Sequence, residues 1–179
     1  MYQKHDDAGY AQASDIQHTL DCNDITRRDT RSIIFHLLYA MEGFEYDASL
    51  DSVVDNFNKG FDLDIPQDCV AVRVTRQVIN QRDALDEQIK PLLHNWRFER
   101  IGVVTKLILR FALWELNQPD VQPAMIINEA IELAKCFAEK DAYKFINGIL
   151  DEQLNRMGYK KEEIASMHPD EQETQESEE

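Results

Sequence analysis

From Ile25 to Gly158 the apolar side chains return every third or fourth residue, with few Val-Thr-Tyr alternations and almost no paired turn signals of the hairpin kind. A chain patterned this way buries its hydrophobic residues by packing helix against helix, so the sequence predicts an all-α fold. At 179 residues it is one ordinary domain or two small ones, long enough to build a core without disulfides or a structural metal. Cys22, Cys69 and Cys136 are odd in number and widely spaced, which signals neither a disulfide framework nor a zinc site and fits a reducing cytoplasm.

Local signals place the helices. The first is expected to start near Asp24 or Thr26, to carry Ile33, Ile34, Leu37, Leu38 and Met41 on one stripe, and to stop at Gly43 as a C-cap. A short second helix follows Ser49. A long third one is expected from Asp64, with Pro66 in its first turn, through Val70, Val78, Leu85 and Ile89 to Pro91. Ile101 to Asn117 is apolar on most faces and reads as a central, buried helix. A fifth helix covers Ile127 to Phe137, and a sixth runs from Asp141, as N-cap, to about Gly158. Six to seven helices in this order suggest two three-helix bundles packed on each other.

Charge divides the chain into three parts. The net charge is −15, and about two thirds of that excess lies in residues 1–24 and 159–179, which are polar, acidic and without apolar period. They read as disordered N- and C-terminal extensions on either side of a helical domain at residues 25–158. Whole-chain acidity therefore does not exclude a nucleic-acid partner. The most apolar stretch, Leu107 to Leu116, is too short to span a bilayer and contains Arg110 and Glu115.

Catalytic signatures are missing from the sequence. No GxGxxG, GxxxxGKS, HExxH or GxSxG occurs, and six glycines leave little material for a phosphate-cradling loop. The adjacent acids Asp86-Glu87 and Glu162-Glu163 point in different helical directions, and His36 and His94 have no acidic neighbour at i+3 or i+4. No enzymatic activity, cofactor or metal is expected.

The most informative local feature is Thr26-Arg27-Arg28-Asp29-Thr30-Arg31, which puts three guanidinium groups on the first turn of a helix, where the macrodipole is already positive. Each misplaced cation costs about 0.3–1 kcal/mol. At 100° per residue Arg27, Arg28 and Arg31 fall at about 0°, 100° and 40° on the wheel, with Phe35 and Tyr39 beside them at about 80° and 120°. Free N–H groups, arginines and neighbouring rings suit the phosphates and bases of single-stranded RNA. The wheel equally allows arginines paired to nearby acids and rings packed against the second bundle.

A wider pattern connects these residues. Arg27 to Tyr39, then LILRFALWEL from Leu107, INEAIELAK from Ile127 and KFINGILD from Lys144 occur in an order and spacing that resemble the bacterial transcription antitermination factor family NusB, over essentially all of residues 25–157. The resemblance implies two three-helix bundles and a role without catalysis. It implies binding of boxA-like leader RNA from ribosomal RNA operons, jointly with a NusE-type small-subunit ribosomal protein and on behalf of elongating RNA polymerase. It also implies that Arg27, Arg28, Arg31 and Tyr39, with Asp141, Lys144 and Phe145 from the start of the sixth helix, form the RNA-binding surface. The chain departs from the family pattern at Asp29, Thr30, Thr105 and Ala142. A competing expectation, motivated by the acidity, is a helical interaction module or homodimer that does not bind RNA. Gly148, inside the sixth helix, is expected to mark close approach of a neighbouring helix.

Overall fold

The computed structural model describes residues 26–160 together with 162 and 163; the expected acidic extensions lie, apart from residues 159, 160, 162 and 163, outside the described residues. Among the described residues the chain forms seven α-helices and no strand: α1 (Arg27–Gly43), α2 (Leu50–Phe61), α3 (Val70–Asn80), α4 (Arg82–Ile89), α5 (Val103–Leu116), α6 (Pro123–Phe137) and α7 (Ala142–Arg156). Two 3₁₀ turns, Lys90–Leu92 and Phe98–Arg100, lie between α4 and α5. Helices α1, α2 and α3 pack as one bundle and α5, α6 and α7 as a second, with α4 against α5 and α1 also against α5. This is the all-α, two-bundle arrangement that the periodicity implied.

The stripes account for the packing. Leu37, Val54, Val72, Leu109, Leu113, Ile127, Ile146 and Leu150 are fully enclosed, and every residue from Leu107 to Trp114 is buried, so α5 is the common wall of both bundles. Each such side chain contributes about 1.5–3 kcal/mol relative to leaving it in water.

Several local expectations are corrected. The long third helix is two helices, broken at Gln81, whose backbone (φ −101°, ψ 6°) leaves the α-helical region. The break turns α4 onto α5, where Leu85 and Ile89 are buried and Asp86 meets Arg110. Asp64 starts no helix either. The Asn58 side chain donates to the Ile65 carbonyl and accepts from its N–H, which holds that segment extended and seats Ile65 in the core. Cys69, not Asp64, is the N-cap of α3. Gly43 is the last residue of α1 rather than its cap, and α6 begins a turn early, at Pro123, where a missing N–H costs nothing. A Cβ on Gly148 would meet nothing within 4 Å, so no neighbouring helix explains this glycine.

One polar cluster ties the halves together. Arg110 on α5 forks onto Asp86 of α4 at 2.6 and 2.9 Å and reaches Glu42 of α1 at 2.9 Å. Two left-handed residues, Glu45 and Tyr46, turn the chain after α1 so that the Tyr46 hydroxyl donates to Glu42. Arg82 lies 4.3 Å from the centre of the Tyr46 ring. Burial alone raises Glu42, but hydrogen bonds from Tyr46 and Arg110 outweigh it and hold the carboxyl below its ordinary range. Burial and the Glu42 carboxylate push the Tyr46 hydroxyl up to about 12.

Candidate nucleic-acid interface

The interface begins with the cap of α1. Thr26 accepts from the Asp29 N–H at 3.1 Å and donates to the Asp29 carboxylate at 2.6 Å, a reciprocal cap that uses two groups at the helix start. Thr26 is thus the N-cap, and the Asp29 carboxylate orients its hydroxyl. That leaves Arg27 and Arg28 exposed on the helix surface.

Arg28 reaches across to α6 and pairs with Glu132 at 2.8 Å, in the open, with side chains 65% and 41% exposed. Lys135 shares the same carboxylate at 3.1 Å. Its ammonium also lies 5.6 Å from the centre of the Tyr143 ring, and the Lys144 ammonium lies 5.8 Å from that centre. The structure thus places Arg28, Lys135, Tyr143 and Lys144 on one corner formed by α1, α6 and α7. Exposed ion pairs of this kind are worth about 0–1 kcal/mol, so Arg28 and Lys135 are held by Glu132 only weakly.

A row of rings lies further along the α1–α6 contact. Phe35 is stacked on Phe137 of α6 at 4.7 Å and on Tyr39 at 6.3 Å, and His36 meets the edge of Phe137 at 5.1 Å. Tyr39 is 52% exposed and Phe137 is also open, whereas Phe35 is 3% exposed and serves as the floor beneath them. The wheel alone had put Phe35 and Tyr39 on equal terms. The helix that covers Phe35 comes from the other bundle, which no wheel contains.

The structure sets Arg31 apart from Arg27 and Arg28. Only 7% exposed, it turns inward and forks onto Glu115 of α5 at 2.7 and 3.3 Å, pinning the start of α1 to the second bundle. Burial is the leading influence on Glu115 and raises its pKa despite the Arg31 hydrogen bond, with Glu129 nearby adding to the rise. Arg27, by contrast, donates to the Met125 sulfur at 3.8 Å and, with Arg31, Trp114 and Glu115, lines a cavity of about 320 Å³.

The residues at the start of α7 are separated in role. Asp141 has a left-handed backbone (φ 67°) and makes no side-chain cap, so the expected capping role is replaced by an ion pair with Lys144 at 3.1 Å. Phe145 is half-buried and meets the edge of Trp96 at 5.5 Å. Sequence reasoning passed over Lys135, Glu132, Tyr143 and Phe137; the basic-aromatic spacing Lys135-x-Phe137 and Tyr143-Lys144 was the available signal. Among the described residues no cluster of His, Cys, Asp or Glu is placed to hold a metal, and no helix is long and apolar enough to cross a membrane.

The NusB family model matches residues 28–155, which takes in all of this surface except Thr26 and Arg27. The chain belongs to the NusB family. It is 37% identical over 126 residues to the transcription antitermination protein NusB of Staphylococcus carnosus, covering 70% of this chain and 97% of that one. It is also 37% identical over 136 residues to the protein of the same name from Desulfovibrio desulfuricans, covering 70% and 82%. Among solved structures, T. maritima NusB superposes with a TM-score of 0.59 at 29% identity, covering 71% of this chain and 89% of that one. The family's two-bundle fold is the one described above.

Proposed function

We propose that this NusB-family chain is an RNA-binding transcription antitermination factor. It acts in the cytoplasm, where it holds boxA-like leader RNA of ribosomal RNA operons together with a NusE-type small-subunit ribosomal protein, and so promotes processive transcription by RNA polymerase and ribosomal RNA maturation. The relatives named above carry the antitermination name. The observation that carries the reading is the corner where Arg28 and Lys135 share Glu132 beside Tyr143 and Lys144, with Phe137 open two residues beyond Lys135 and Tyr39 open about three turns along α1 from Arg28.

The mechanism is positioning. Arg27, Arg28, Lys135 and Lys144 hold phosphates while Tyr39, Phe137 and Tyr143 stack on bases, and the ribosomal protein completes the surface. Three or four phosphate contacts on a single strand give a log-log salt slope of roughly −2 to −3. The test is binding of a labelled boxA-like RNA, with and without the ribosomal protein, by wild type and Arg28→Ala. A salt-dependent complex weakened by the substitution supports the reading. No RNA retained under either condition, together with a stable dimer by light scattering, replaces it with the interaction-module reading.

A further inference from the structure

The connector between α4 and α5 has the opposite charge from the rest of the chain. Between Lys90 and Lys106 there are four cations, Lys90, Arg97, Arg100 and Lys106, and one acid, Glu99, in a protein of net charge −15; Lys90 is paired with Glu87 of α4 and Lys106 lies on the first turn of α5. Lys90 and Lys106 lie over the Phe98 ring, at 5.7 and 4.9 Å. Arg97 and Arg100 have no carboxylate partner among the described residues, a condition they share with Arg27 and Arg73, whereas Arg28, Arg31, Arg76, Arg82, Arg110 and Arg156 are paired. Both are exposed and three residues apart on one short turn, so their guanidinium groups are available to an anion from outside.

Trp96 stands between them and the site already described. It is 60% exposed, and its edge rests on Phe145, the neighbour of Lys144. The left-handed Asn95 (φ 64°) turns the chain immediately before it, and α7 holds the connector in place through Arg156 donating to the Pro91 carbonyl at 2.8 Å. A large ring kept in water on an anchored loop, flanked by open guanidinium groups, is the arrangement that stacks an unpaired base and neutralises its phosphates.

We infer that the RNA strand held at the α1–α6–α7 corner continues past Phe145 onto the α4–α5 connector, where Trp96 stacks a base and Arg97 and Arg100 take the flanking phosphates. This extension rests on the RNA-binding reading above and adds a second contact region to it.

The chain supplies its own reporter. Its two tryptophans are Trp96 and Trp114, and Trp114 is 7% exposed, so Trp114→Phe leaves Trp96 as sole emitter and Trp96→Phe gives the background in a second protein. The probes are a minimal boxA-like RNA and the same RNA lengthened by about four nucleotides at either end. The lengthened RNA is expected to quench Trp96 and to bind roughly tenfold more weakly to Trp96→Ala than to wild type, with the minimal RNA unaffected. Replacing Arg97 and Arg100 together by Ala should flatten the salt slope for the long RNA by roughly 1.4. If both RNAs bind in an Arg28-dependent manner while Trp96 emission and the slope stay unchanged, the extension is wrong and the corner alone holds RNA. Quenching by the ribosomal protein without RNA would make the connector a protein contact and overturn the inference. Failure of any RNA to bind removes the corner and the extension together.

Discussion

Two arginine-carboxylate clusters on opposite ends of α1 use the same groups for different purposes. At the C-terminal end, Arg110 is enclosed among Asp86, Glu42 and Tyr46; at the N-terminal end, Arg28 and Lys135 share Glu132 in open solvent. Burial makes the first a fixed joint between bundles, because an arginine left there without its acids is an uncompensated charge in low dielectric. Exposure makes the second exchangeable, since water or a phosphate replaces the carboxylate at little cost. Arg31 sits one turn from Arg28 and belongs with Arg110: the difference within a single helix is which side chain the other bundle covers.

The largest effect expected from this contrast is at the buried joint. Arg110→Ala should lower unfolding free energy by about 3 kcal/mol in urea denaturation, and Arg31→Ala by about 2 kcal/mol, because both leave half-buried carboxylates without their cation. Arg28→Ala should change stability by no more than about 0.5 kcal/mol. Equal losses at Arg28 and Arg31 would erase the distinction between the two.

Gly148 offers a gain of intermediate size. Its Cβ direction is open and it lies inside α7, so Gly148→Ala should stabilise the fold by about 0.5–1 kcal/mol. A loss of stability would mean that the backbone there does something a helix interior does not require.

Titration sharpens the comparison at finer scale. Glu42 and Glu115 both face a buried arginine, yet Glu42 is lowered and Glu115 raised. Both suffer from burial, but Glu42 also receives the Tyr46 hydroxyl, while Glu115 has Arg31 alone against a neighbouring Glu129. With its folded pKa below the unfolded one, Glu42 adds stability above about pH 4.5 that is lost as pH falls through the folded value. Tyr46 works at the other edge. Raised from 10.0 to about 12, it adds stability present below pH 10 and lost as pH climbs from 10 toward 12. Tyr46→Phe should therefore flatten the alkaline decline measured by denaturation. For Glu115 the expected change is smaller: Glu129→Gln should lower its midpoint in a carboxyl NMR titration.

The helices were legible because burial imposes the three-four repeat on sequence: Leu37, Leu38 and Met41, or Ile146, Ile149 and Leu150, can be read without coordinates. The break at Gln81 was not, because neither Pro nor Gly marks it and its cause is the fit of α4 on α5. The cap formed by Thr26 and Asp29 was present as a Thr-x-x-Asp spacing, hidden by attention to the arginines between them. At the site, Arg27 and Arg28 emerge where the wheel put them, whereas Arg31 and Phe35 are covered by Glu115 and Phe137, which lie more than eighty residues away in sequence. Local geometry gives a direction; which surface remains open depends on the other bundle.

The most direct test of the central claim compares RNA affinity across salt for wild type and Arg28→Ala/Lys135→Ala, with the ribosomal protein present and folding checked by circular dichroism. Two lost phosphate contacts should weaken binding by roughly tenfold or more at low salt and flatten the log-log slope by about 1.4. A folded double variant with wild-type affinity and an unchanged slope would contradict the account.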